Sequence, residues 1–220
     1  MIASLWMTRW FVHRLGSEQM ISYAALVLAG GAARRMGGVA KPLLPVGGVP
    51  MLRRVLGAVA EAQALVVVGP PELAAELPPA AVLTREDPPG GGPVAAIAAG
   101  AARLPAGTDR VLVVAADLPF LTRDAVAALL AVDVDVVMFT DADGRRQHLC
   151  AAWRLGTLHA ELPANPHGAP MRALLADVDV VELPWAGEGP PPWYDCDTPD
   201  ELRAANDERV PDHARTEEAL

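Results

Sequence analysis

From residue 23 onward, short continuous apolar runs alternate with longer stretches whose apolar residues recur at helical spacing. A strand that is apolar at every position needs cover on both faces, which a parallel sheet sandwiched between helices supplies. The runs Ala24–Leu28, Leu65–Val68, Arg110–Ala115 and Val134–Phe139 have this character, being rich in Val and Leu. They predict an α/β fold of three layers, α/β/α, around a mostly parallel sheet.

The intervening segments predict helices. Pro50–Ala62 carries Leu52, Val55, Leu56 and Val59 on one face, with proline at its start. Pro93–Leu104 follows three glycines, and Thr122–Leu130 opens on a threonine suited to cap it. Beyond Thr140 the turn signal Asp141-Ala-Asp-Gly144 and the run Leu149–Trp153 predict a strand returning across the sheet, making it mixed. Helices at Leu155–Leu162 and Pro170–Ala176, a strand at Val178–Leu183, a proline-rich loop at Pro184–Pro192 and a last helix after Asp-Thr-Pro complete the pattern. The expected organisation is a single domain over 22–210, an N-terminal extension over 1–21 that is disordered or upstream of the start used, and a loose tail over 211–220.

With 220 residues and 52% hydrophobic residues, the chain is long enough for one well-buried domain. No apolar run reaches the roughly 18–20 residues that cross a bilayer, so no membrane span is expected. The net charge of −9 argues against general nucleic-acid affinity. Cys150 and Cys196 lack zinc-type spacing, which suits a reduced, cytoplasmic setting.

Directly after the first predicted strand comes Leu28-Ala-Gly-Gly-Ala-Ala-Arg-Arg-Met-Gly-Gly-Val-Ala-Lys41. Gly30 and Gly31 allow a tight turn whose N–H groups approach an anion, and Arg34, Arg35 and Lys41 add charge for a polyphosphate. Lys41 is the one lysine among 18 Lys and Arg residues, and lysine offers a compact point charge on a flexible stem. Neither the P-loop pattern nor Gly-x-Gly-x-x-Gly is present.

Two further features belong at the carboxyl ends of strands, where ligands bind in such sheets. Asp117-Leu-Pro-Phe follows Arg110–Ala115, and Asp117 is the residue expected to hold a metal, magnesium being held by one or two carboxylates plus phosphates and water. Asp197, in Asp195-Cys-Asp-Thr-Pro, is the natural second ligand; Asp197 or Thr198 is also suited to cap the helix that follows, and the two roles can coexist. His148, with Arg145 and Arg146, is expected in an exposed turn, and His167 in a loop; Trp185 and Trp193 either stack on a substrate ring or anchor the proline loop.

The string Leu-Ala-Gly-Gly, Arg-Met-Gly-Gly and Lys resembles the signature of nucleotidyltransferases of the GT-A-like, Rossmann-like nucleotide-diphospho-sugar transferase fold, most closely the molybdenum cofactor guanylyltransferases. The resemblance spans about 24–205. It implies nucleotide contacts from Leu28, Ala29, Gly30 and Gly31, phosphate contacts from Arg35 and Lys41, further nucleotide contacts from Asp87, Gly92 and Pro93, and a magnesium ion on Asp117. It also implies GTP as donor, a molybdopterin-type acceptor and transient contact with other proteins of molybdenum cofactor biosynthesis. Gly69 stands where the family has Asn, and Asp195-Cys-Asp197 where it has Asn-x-Asn. A relative using CTP or a sugar phosphate, and a non-catalytic nucleotide-binding module, are the alternatives.

Overall fold

The computed structural model describes residues 21–30, 40–187 and 189–208. Its seven-stranded sheet is formed by β1 (Ala24–Leu28), β4 (Ala64–Val68), β5 (Val82–Thr84), β6 (Arg110–Ala115), β7 (Val136–Thr140), β8 (Arg146–Arg154) and β9 (Val180–Pro184). A separate two-residue hairpin comprises β2 (Pro45–Val46) and β3 (Val49–Pro50). The order is β5-β4-β1-β6-β8-β7-β9. All pairs are parallel except those of β8, which runs against both β6 and β7. The reversal is made at Asp141, whose carboxylate accepts from the Asp143 and Arg145 amides at 3.0 and 2.8 Å.

Helices α1 (Met51–Ala58), α2 (Gly92–Ala101), α3 (Arg123–Leu130), α4 (Leu155–Glu161) and α5 (Pro199–Asp207) pack around it. Alternate strand positions feed two cores. Val27 and Val114 meet Leu52 and Val55 of α1 and Val126 and Leu129 of α3. Leu26 and Val113 belong with Val94 and Ile97 of α2 and Leu155 and Leu158 of α4. This is the expected three-layer arrangement, and it accounts for β1 and β6 being buried at every position. Close packing of α2 depends on Gly100, where a methyl group would fall 2.2 Å from Leu26 Cδ1.

The helices are shorter than the periodicity predicts. α1 stops at Ala58, and the chain turns so that the Gln63 amide reaches Tyr23 O at 2.9 Å. α2 ends at Ala101 and is drawn into three-residue turns, Arg103 N to Gly100 O and Leu104 N to Ala101 O. Residues Met171–Leu175 form a 3-10 rather than an α-helix. The predicted capping by Thr122 is present, its hydroxyl accepting from Ala125 N at 3.1 Å.

Candidate active site

Leu28 of β1 lies level with Val68 of β4 and Ala115 of β6. Backbone pairing runs one residue further, with Ala29 N donating to Val68 O at 2.7 Å and Ala116 N to Leu28 O at 2.9 Å. The turn Ala29–Gly30 therefore leaves the sheet beside Ala116–Asp117. After β1 the chain adds β4 and β5 on one side, then crosses to β6 on the other. Such a switch point opens a crevice at the strand ends, and the predicted Leu28, Ala29, Gly30 and Asp117 all line its start.

A small third core brings distant segments to this crevice. Val46, Met51, Phe120, Cys196 and Ala205 are buried together, with Leu44, Tyr194 and Leu202 against them. Phe120 and Tyr194 meet edge to face at 5.5 Å. Asn206 of α5 accepts from Gly47 N at 2.9 Å and donates to Pro45 O at 3.3 Å. The segments bearing Lys41, Asp117 and Asp197 are thereby tied into one unit: Phe120 follows Asp117 by one turn, and Cys196 is fully buried while Asp195 and Asp197 beside it are exposed.

At the junction, Lys41 donates its ammonium to both Asp117 Oδ2 and Asp197 Oδ1, the latter at 2.7 Å. The Lys41 and Asp117 side chains are 16% and 20% exposed, against 59% for Asp197. Burial pulls the lysine pKa down, but the two carboxylates more than offset this and hold it above its ordinary value. Although its surface is open to solvent, Asp195 is pushed above the usual carboxylate range by desolvation from the protein packed around it, then by Asp197 and Asp117, with Lys41 opposing. Among the described residues, three carboxylates and one ammonium meet here.

The cap of the last helix is Thr198 and not Asp197. Thr198 caps α5 in a capping box: its hydroxyl accepts from Glu201 N at 3.2 Å, and Glu201 accepts from Thr198 N at 2.7 Å. The Asp197 carboxylate is left to Lys41.

The predicted Asp87, Gly92 and Pro93 frame the loop from β5 into α2. Asp87 is exposed, whereas its neighbour Glu86, which the sequence did not single out, accepts from Gly90 N at 3.0 Å. Gly92, at φ +85°, turns the chain into the helix, which begins with Pro93 in its first turn. On the other side the Gly168 amide donates to Gly91 O at 2.7 Å, and a methyl group on Gly91 would lie 3.0 Å from His167 Cδ2. The His167 loop therefore backs the glycine turn. Gly69 is also accounted for: a Cβ there would come within 2.9 Å of Leu73 Cδ1 and 3.1 Å of Ala29 Cβ, leaving little space for the asparagine of the family pattern.

Other expectations separate. His148 belongs to β8 and is partly buried, not in an exposed turn, because the strand starts at Arg146. Burial, then Arg146, lowers its pKa. Trp185 and Trp193 both pack on Phe139, at 5.6 and 5.4 Å, so they anchor the proline loop. Gly31, Arg34 and Arg35 lie outside the described residues. Among the described residues no group of three or more metal-ligating side chains converges, and no helix is long and apolar enough to cross a membrane.

A mixed α/β sheet with a glycine turn after its first strand, and a lysine and two carboxylates at the adjoining strand tip, defines a nucleotidyltransferase-type domain. Residues 25–183 match the model of the MobA-like NTP transferase domain, and the chain belongs to that family. It is 31% identical over 190 residues to a molybdenum cofactor guanylyltransferase of Rhodobacter capsulatus, covering 84% of this chain and 95% of the relative. It is 35% identical over 205 residues to a protein of the same name from Rhodopseudomonas palustris (strain HaA2), covering 82% and 89%. In fold it is similar to molybdopterin-guanine dinucleotide biosynthesis protein A from Archaeoglobus fulgidus, with a TM-score of 0.63, 20% identity, and 84% and 97% of the two chains covered.

Proposed function

We propose that this chain transfers GMP from GTP to the terminal phosphate of a molybdopterin-type acceptor and releases pyrophosphate. The observation that carries the reading is the Lys41 ammonium held by Asp117 and Asp197 beside the Ala29–Gly30 turn, in a chain whose two curated relatives bear the guanylyltransferase name. An acceptor phosphate oxygen forms a new bond to the α-phosphorus of GTP as the bond to pyrophosphate breaks. Transfer of this kind needs positioning and charge neutralisation rather than a covalent enzyme intermediate.

The family resemblance supplies the roles. Leu28, Ala29, Gly30 and Gly31 take the nucleotide against the first turn, and Asp87, Gly92 and Pro93 bound it from the β5–α2 loop. Lys41 and Arg35 neutralise phosphate charge. Asp117 and Asp197 would hold magnesium, and the donor set fits it: hard carboxylate oxygens already converge on one cationic atom, with the Asp195 carboxylate close enough to feel both. Magnesium bound there supplies positive charge to the phosphate oxygens. A cytoplasmic setting, with Cys150 and Cys196 as free thiols, completes the reading.

Thermal stabilisation by GTP, CTP, ATP and UTP, each with and without magnesium, tests the proposal. A shift with GTP that magnesium enlarges is the expected result. A preference for CTP assigns the chain to a cytidylyl reaction, and no shift with any nucleotide contradicts catalysis.

A further inference from the structure

The Lys41 ammonium occupies the place between the two carboxylates that are best disposed to bind a divalent cation. It donates to Asp117 Oδ2 and to Asp197 Oδ1, so each carboxylate already has one oxygen committed to a positive centre. A second cation on those oxygens would stand next to the ammonium, where like charges repel strongly in a partly buried site. Lysine can yield because its charge sits on a flexible stem, unlike the fixed fork of arginine. Among the described residues, the carboxylates take two of the three donors of its ammonium.

We propose that Lys41 and a divalent cation are alternative occupants of the position between Asp117 and Asp197. Cation entry then releases the ammonium from the acids, and only the released lysine is available to a substrate phosphate. In the absence of metal the same lysine neutralises the acids that would otherwise repel one another. The inference rests on the nucleotidyltransferase reading of this site. It ties the metal to the lysine, two roles otherwise assigned separately.

Because Lys41 is the one lysine of the chain, labelling lysine with carbon-13 at Cε and nitrogen-15 at Nζ gives a single side-chain signal. The experiment uses the full chain without nucleotide. Magnesium is titrated while that signal is followed, and manganese binding to wild type, Lys41→Ala and Asp117→Asn is measured by electron paramagnetic resonance. Circular dichroism and the melting temperature check that each variant is folded.

The expected result is a Lys41 signal that moves toward that of a solvent-exposed lysine in step with metal binding. Lys41→Ala should bind manganese roughly five- to tenfold more tightly, the scale of two partly exposed ion pairs released. That gain should persist at molar salt, where the Debye length shrinks to about 3 Å and long-range repulsion is screened. Asp117→Asn should weaken binding. A Lys41 signal that stays in place while metal binds overturns the proposal, as does unchanged or weaker binding by folded Lys41→Ala. Neither measurement involves a nucleotide, so loss of this proposal leaves the transfer reaction standing, and loss of the reaction is read separately, from nucleotide stabilisation and turnover.

Discussion

Lys41 and Asp197, 156 residues apart in sequence, are joined by a hydrogen bond of 2.7 Å. The next residue, Thr198, has a different task, since its hydroxyl caps α5. On the proposed reading, adjacent residues divide chemistry from folding. Asp197→Asn is expected to lower turnover by at least about a hundredfold, the scale of removing one charge-stabilising group, with little change in melting temperature. Thr198→Ala should do the reverse, costing about 1 kcal/mol of stability with turnover per folded molecule preserved. Steady-state kinetics beside thermal melts on the two variants check the division, and equal effects on both readouts would contradict it.

Gly91 is enclosed between Ala95 and the His167 ring, and its carbonyl accepts from Gly168. A methyl group there would lie 2.7 Å from Ala95 Cβ, so the loop or the ring must move. Gly91→Ala is therefore expected to raise the KM for nucleotide severalfold and to cost about 1–3 kcal/mol, as overpacking does. An unchanged KM in the folded variant would show that the loop does not bound the nucleotide.

Both cysteines are buried, Cys150 at 1% exposure and Cys196 at 0%, and burial is the leading cause that pushes each thiol up to about 12. A raised pKa keeps them as thiols, not thiolates, through neutral and mildly alkaline pH, and the thiolate is the reactive form. Neither should react with Ellman's reagent in the native protein, while both react in denaturant. Rapid reaction of Cys196 in the native state would mean that the third core opens readily.

Arg110 starts β6, an interior strand, at the end of the sheet opposite the candidate site, and its guanidinium donates to Val134 O and Val132 O at 2.9 Å each. It is only 5% exposed and ties the loop between α3 and β7 to the sheet. Arg110→Met leaves those carbonyls without their donor and should cost about 1–3 kcal/mol. Turnover per folded molecule should be retained; its loss would point to coupling between the two ends of the sheet.

Much of this architecture was legible because burial on both faces leaves a continuous apolar signal. β1 and β6 coincide with the predicted runs Ala24–Leu28 and Arg110–Ala115 residue for residue. β5, with three residues, and the β2–β3 hairpin, with two per strand, are too short to carry any periodicity, and sequence reading passed over them. Asp117 was legible from its place directly after a strand, and Asp197 from its place ahead of the last helix. Their joint capture of Lys41 was not, because it depends on a core assembled from Val46, Phe120 and Cys196, three residues with no pattern linking them along the chain. Nor did the glycines around Gly91 announce that a distant histidine would pack on them.

Incubating the purified chain with GTP, magnesium and a molybdopterin-type acceptor, with pyrophosphate and the dinucleotide product both measured, tests the proposed transfer. One pyrophosphate per guanine dinucleotide is expected, with product abolished in Lys41→Ala and Asp117→Ala and absent when CTP replaces GTP. Product formed from CTP and not from GTP, or undiminished turnover in either variant, would contradict it.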